Sequence, residues 1–188
     1  MTISINQITS GMGLRINDDI FLVTGYSHVK PGKGSAFVRV KLKNIRTQQV
    51  LEKTFKTADK LDDVPLEERK LQNLYRSGDS FYFMDYTTYE EVAVPEEVIG
   101  EDVKFLQDNL EVTGICYNGK VLRIVLPTFI EAEIVHTEPG LKGDSSKAGT
   151  KPAVIDAGAT IQVPLFVNIG EVVKVDTRTG TYVERVKK

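Results

Sequence analysis

With no tryptophan, one cysteine and two histidines in 188 residues, the chain is short of several kinds of chemistry from the start. A lone cysteine excludes an internal disulfide and any cysteine-rich zinc site. Cys116 lies in the apolar run VTGICY, where a thiol serves as a small buried hydrophobe. So few cysteines suit a reducing compartment. His28 and His136 have no ligand or triad partners at a recognisable spacing, so no metal site and no catalytic triad is expected. No apolar run approaches the roughly 18 residues that a membrane helix needs. The opening MTISINQITSGMGLRINDD lacks a basic start followed by an apolar stretch, so no signal peptide is read. The expectation is a cytoplasmic protein with no membrane partner.

Enzyme signatures are equally sparse. GMGLRI, residues 11–16, begins like a dinucleotide fingerprint but lacks its third glycine and a surrounding βαβ unit. PGKGS resembles a phosphate loop only faintly, because Gly34 separates the lysine from Ser35 and a strand pattern follows. Glu96 and Glu97 read as the exposed start of a helix, where the dipole favours acids. No catalytic residue is assigned, and the chain is not expected to be an enzyme.

What is present is a soluble composition, 41% hydrophobic and 27% charged, with an uneven distribution of charge. Residues 1–64 carry a net +4, residues 65–127 a net −6, and residues 128–188 none. A basic first third beside an acidic middle points to an anionic partner at one end. With 15 glycines and no tryptophan, several small β-rich units fit the length better than one large core.

Strand patterns dominate. IFLVTGYSHV and SAFVRVKLKNI are rich in Val, Phe, Ile and Tyr and are parted by KPGKG. In the second, Ala36, Val38, Val40 and Leu42 point one way while Phe37, Arg39, Lys41 and Lys43 point the other. QVLEKTFKT continues as a strand, so the first 60 or so residues read as a small barrel. Pro65 marks a boundary. Ser77-Gly78-Asp79 is a turn, and GICYNGKVLRIVLP is a hairpin on Asn118-Gly119. PEEVIGEDVKFLQDNLEV, from Pro95, is the helical stretch, with Val103, Phe105 and Leu106 inward. EPGLKGDSSKAGTKP is a polar loop, and Asp176 to Gly180 makes a tight turn between two strands. The expected domains are 1–64, 65–127 and 128–188, with no residue-level repeat evident between the second and third. Closure into barrels would remove exposed strand edges.

The loop Lys30 to Gly34 carries Lys33 between two glycines, with Pro31 fixing one dihedral. Such a loop lifts one lysine to the tip of a two-stranded arm. An exposed ammonium, titrating at about 10.4 in free lysine, is too basic for a general base. With Lys30, Arg39, Lys41 and Lys43 behind it, the arm suits a groove between phosphates.

HVKPGKGSAFVRVKLKN closely resembles the arm of bacterial elongation factor P. VPLFVNIGEVVKVDTRTGTYVERV, Val163 to Val186, resembles that family's C-terminal signature, and YNGKVLRIVLP and VHTEPGLKGD resemble family segments at the expected spacing. The resemblance covers essentially the whole chain. It implies an all-β fold of three small barrels in a tRNA-like L shape, SH3-like (KOW-like) first and OB-folds after. It implies a monomeric translation elongation factor that binds the 70S ribosome between the peptidyl and exit sites. There it would position peptidyl-tRNA and relieve stalls at consecutive prolines, through contacts to ribosomal proteins and RNA. It also implies that Lys30, Pro31, Gly32, Lys33 and Gly34 meet the CCA end. Lys33 would be the modified residue, extended by a lysine-modifying enzyme with a group such as β-lysyl or aminopentanol, and no separate cofactor is expected. Gly143, Asp144 and Ser145 match the start of the family's exit-site loop, although Ser145-Ser146 stands where relatives often have Thr-Ala. Tyr182 and Arg185 match residues placed near RNA. The alternatives left open are a paralogue of the family and a generic OB-fold RNA-binding protein without stall relief. The second would want aromatics interleaved with bases, whereas FYFMDYTTY is followed by acids.

Overall fold

The computed structural model describes residues 2–30, 35–139 and 149–186. It is all-β, built from barrel-like sheets. The first sheet contains β1 (Thr2–Ser4), β2 (Gly13–Ile16), β3 (Asp19–Val29), β4 (Phe37–Asn44), β5 (Val50–Lys56) and β6 (Lys60–Val64), in the order β1-β6-β2-β3-β4-β5. The alternation expected in β4 holds: Val38, Val40 and Leu42 are fully buried while Arg39 and Lys41 are exposed. Ala36 sits just before the strand and is only half-buried. Leu14, Val23, Phe21 and Phe55 close the same core. β-branched side chains suit this pleated, half-buried surface.

The second sheet holds β7 (Glu67–Ser77), β8 (Ser80–Asp85), β9 (Glu91–Pro95), β10 (Glu111–Tyr117) and β11 (Lys120–Val125), in the order β11-β10-β7-β8-β9. Asn118 and Gly119 both have positive φ, 49° and 76°, as a two-residue primed turn requires. The stretch expected to be helical is so only in part. A single helical turn, α1 (Glu96–Ile99), gives way to 3-10 turns over Gly100–Phe105, and β10 begins at Glu111. Gly100, at φ 67° and ψ −141°, breaks the α-helix. Phe105 and Leu106 are buried as expected, but Val103 is only half-buried, and Ile99, not anticipated, is buried too.

The third sheet contains β12 (Phe129–Thr137), β13 (Thr150–Ile155), β14 (Thr160–Pro164), β15 (Val172–Asp176) and β16 (Thr181–Arg185), in the order β14-β13-β12-β15-β16. Its core joins Ile130, Ile134, Ile155, Ile161, Val163, Val173 and Val175 with Phe105. Thr150 to Pro152, read from sequence as the end of a loop, belong to β13, and Pro152 pairs with Gln162 inside the sheet. Proline ordinarily marks a strand edge because it cannot donate to the ladder. Here its carbonyl accepts the Thr137 hydroxyl at 2.9 Å.

One turn recurs in all three sheets. Asn44, Asp85 and Asp176 each end a strand, each is buried, and each backbone carbonyl accepts the N–H four residues on, at 3.0, 2.7 and 2.8 Å. Their side-chain oxygens accept N–H groups two or three residues on: Arg46 and Thr47, Thr87 and Thr88, and Arg178. The fifth residue is left-handed each time: Gln48 at φ 62°, Tyr89 at 58° and Gly180 at 67°. The shared pattern is Asn or Asp with Thr three residues later, so a short repeat does run through the chain.

The chain divides into two compact units, residues 1–69 with 114–123, and residues 70–113 with 124–188. Within the first, Arg15 Nη2 donates to the Tyr117 hydroxyl at 3.3 Å, its guanidinium lies 5.7 Å over that ring, and its Nε is 3.4 Å from Asp62.

Candidate functional site

The arm is the hairpin of β3 and β4. The register runs from Phe21↔Asn44 to Val29↔Phe37, so residues 30–36 connect the strands. A shift between Val23 and Gly25 marks a bulge, which strengthens strand twist. Beside it the Thr24 hydroxyl donates to the Lys41 carbonyl at 3.2 Å. Thr57 Oγ1 donates to the Ala36 carbonyl at 2.9 Å and ties the returning end of the connection to the first sheet. Lys30 is exposed where β3 ends. Pro31, Gly32, Lys33 and Gly34, the expected tip, lie outside the described residues.

Behind the tip, Phe37, Arg39, Lys41 and Lys43 share one face of β4. On β5 they lie opposite Lys56, Thr54, Glu52 and Val50. The basic face expected from sequence is therefore extended by Lys56 and interrupted by Glu52. Arg39 Nε lies 3.3 Å from Glu52 Oε1, with both side chains about half exposed (53% and 48%). A pair this open contributes at most ~1 kcal/mol and can exchange partners. Thr24, Gly25, Tyr26, Ser27, Arg39, Lys41 and Glu52 line a shallow groove of about 340 Å³ on this face. Its cations and hydroxyls are donors suited to phosphate oxygens. Lys56 and Glu52 were visible in the sequence as strand residues, but only the register sets them beside Phe37 and Lys41. Tyr26 and His28, at the register positions of Val40 and Val38, meet edge to face with centroids 5.6 Å apart.

At the other end of the chain, Gly143, Asp144 and Ser145 lie outside the described residues. Tyr182 packs half-buried against the third core. Arg185 Nη1 lies 2.9 Å from Glu171 Oε1, and its guanidinium sits 5.8 Å over the Phe166 ring. The Asn168 backbone N–H, bonded at 2.8 Å, holds the Glu171 carboxyl below its ordinary value, and Arg185 adds to that. Tyr182 and Arg185 thus belong to the packing of β15 and β16, and Arg185 keeps an open flank over Phe166. Among the described residues no group of three or more His, Cys, Asp or Glu could hold a metal ion, and no helix is long and apolar enough to cross a membrane.

Three family models match successive parts of the chain: the elongation factor P KOW-like domain over residues 4–61, the elongation factor P OB domain over 66–124, and elongation factor P, C-terminal, over 130–185. Elongation factor P of Moorella thermoacetica is 47% identical over 183 residues, covering 97% of this chain and 99% of that protein. The protein of the same name from Caldanaerobacter subterraneus is 45% identical, covering 98% and 100%. Among solved structures, eukaryotic translation initiation factor 5A from Methanococcus jannaschii aligns with TM-score 0.50 and 29% identity over 66% of this chain and 94% of that one. A translation initiation factor eIF-5A family protein from Naegleria fowleri, at TM-score 0.51 and 18% identity, covers 67% and 98% and shares the fold.

Proposed function

The chain belongs to the elongation factor P family, and on that premise we propose that it binds the ribosome between the peptidyl and exit tRNA sites, where it speeds peptide-bond formation at consecutive prolines. Its coarser role, a translation elongation factor that works with the ribosome, follows from the family itself. In this reading residues 1–64, 65–127 and 128–188 act as three domains, and the first presents its arm to peptidyl-tRNA.

The observation that carries the reading is the β3–β4 hairpin, which delivers residues 30–36 beyond its last pair, Val29↔Phe37, with a cationic face behind them. Proline is a hindered nucleophile and a rigid donor, so its reaction suffers in orientation more than in acid–base chemistry. Holding peptidyl-tRNA in a productive pose lowers that entropic barrier without a catalytic side chain. Lys33 acts here as a positioning residue. Its ammonium donates charge-assisted hydrogen bonds to the tRNA backbone near the CCA end, and an added amine extends its reach. The extension is installed by a lysine-modifying enzyme.

The test is the rate of Pro-Pro bond formation on reconstituted ribosomes, comparing the parent protein from its native host, Lys33→Ala and no factor. Two charge-assisted hydrogen bonds at ~1.5 kcal/mol each predict a loss of about 100-fold in the stimulated rate. Lys33→Ala should leave hydrogen exchange in the first sheet unchanged. If parent protein and no factor give the same rate, the stall-relief reading fails. If Lys33→Ala unfolds the sheet, the lysine is structural.

A further inference from the structure

The run FYFMDYTTYEE puts aromatic residues beside acids, and the role of the arm makes no use of it. In β8, Phe81 and Phe83 are buried, together with Leu71 of β7 and Val94 of β9. The alternate residues Tyr82 and Met84 therefore face the other side of the sheet. There Tyr75 of β7 lies opposite Tyr82, and the two rings stack with centroids 4.8 Å apart and planes 11° apart. Tyr75 remains 45% exposed, and its hydroxyl lies 3.2 Å from each carboxylate oxygen of Glu91 on β9. Burial of the ring, then the hydrogen bond to Glu91, pushes the Tyr75 phenol above its ordinary value. β9 ends its sheet, and exposed Glu90 precedes Glu91. The register positions sharing this face are Gln72, Tyr75 and Ser77, then Ser80, Tyr82 and Met84, then Glu91, Ala93 and Pro95. These paired positions include one carboxylate and no cation, and the exposed Lys70 lies past Gln72 along the same side of β7, beyond the last pair and away from Tyr75.

A cross-strand aromatic pair can serve sheet stability alone. That role asks for neither an open ring nor a carboxylate at the hydroxyl end. Together these two features match a guanidinium. The ring quadrupole attracts a cation over its face, and a neighbouring carboxylate takes the planar N–H fork. A nucleic-acid strand would instead bring phosphate against Glu91, within a third of the chain that holds twelve acids and six bases. We propose that the outer face of the middle sheet, centred on Tyr75, Tyr82 and Glu91, docks an arginine-bearing cationic segment of a partner protein. The proposal does not rest on the reading of the arm, because it can be tested with the full chain alone.

The experiment is fluorescence anisotropy of labelled hexa-arginine, hexa-lysine and hexa-uridylate titrated with the full-length protein at low salt. The parent should bind hexa-arginine more tightly than hexa-lysine and should bind hexa-uridylate weakly. Glu91→Gln and Tyr75→Leu should each weaken hexa-arginine by about three- to tenfold. Tyr75→Phe, which keeps the ring, should stay near the parent, as should the charge control Glu133→Gln in the third sheet. If Tyr75→Leu does not fold, the exposed substitution Glu91→Gln decides alone. Equal affinity across the variants would overturn the proposal and leave the stack as a packing pair. Hexa-uridylate binding that Tyr75→Leu abolishes would overturn it in favour of a nucleobase platform.

Discussion

Two glycines in the first sheet should respond in opposite ways to the same added methyl group. Gly13 sits in β2 between Leu22 of β3 and Val64 of β6. A Cβ built there would stand 2.5 Å from the Val64 carbonyl oxygen and 2.8 Å from Leu66 Cγ. Ordinary contact begins about 0.9 Å farther out than that carbonyl, and a backbone oxygen held in a strand pair cannot swing aside as a side chain can. Overpacking of this kind costs about 1–3 kcal/mol, offset by about 0.4–1 kcal/mol from a stiffer unfolded chain. Gly13→Ala should therefore destabilise the first sheet by about 1–2 kcal/mol. Gly25, beside the bulge of β3 and opposite Lys41, has no heavy atom within 4 Å of its would-be Cβ. Its conformation is not left-handed, so Gly25→Ala should stabilise by about 0.5–1 kcal/mol. A chain of two compact units need not unfold in one step, so the assay is native-state hydrogen exchange at the Val23 amide, bonded to the Met12 carbonyl at 2.8 Å. The two variants should differ in protection by about 10- to 100-fold. Parent-like protection in Gly13→Ala, or a shift of the same sign in both, would refute the packing argument.

Further outcomes concern charge. Glu52→Gln should release Arg39 to external phosphate. Affinity for tRNA should then rise about two- to fivefold at low salt, and a plot of log K against log[salt] should steepen by about one unit; an unchanged slope would mean that Arg39 does not reach the nucleic acid. The Asp176 carboxyl is held below its ordinary 3.8 by the Arg178 side chain first, against the opposing effect of burial, with further help from the Arg178 N–H. Its folded value is depressed, so its stabilisation is present above the unfolded value and is lost as pH falls through the folded one. Asp176→Asn should therefore be less stable than the parent near neutrality, and the difference should shrink as pH falls below the unfolded value and through the folded one, read from urea midpoints across pH.

The arm was legible because its signals are local. A proline and two glycines punctuate a loop, and strict alternation in Phe37 to Lys43 separates a buried face from a basic one. The helical reading after Pro95 failed at Gly100, whose conformation ends the α-helix after one turn. Pro152 misled in the other direction. It closes the polar run EPGLKGDSSKAGTKP and reads with it as loop, yet it pairs with Gln162 inside the sheet and its carbonyl accepts the Thr137 hydroxyl. The composition of the basic face was also misjudged, because Glu52 and Lys56 join it only through the β4–β5 register.

That register depends on the turn at Asn44, and the same turn at Asp85 and Asp176 was overlooked as a repeat. Its trace in residue identity is only Asn or Asp with Thr three residues later, two positions too common to stand out, because the constraint is conformational. One buried side-chain oxygen must accept the next N–H groups, and one residue four places later must tolerate a positive φ. Glycine fills that last position only in the third sheet. Gln48 and Tyr89 hold it in the first two at a cost of about 1 kcal/mol each. The strand pairs they close outweigh that strain: β4 with β5, β8 with β9, and β15 with β16. A one-residue slip at Asn44 would turn the edge strand β5 over, moving Glu52 and Lys56 off the basic face and sending Phe55 to solvent. The make-up of the basic face thus depends on a turn at the far end of β4 from Lys33.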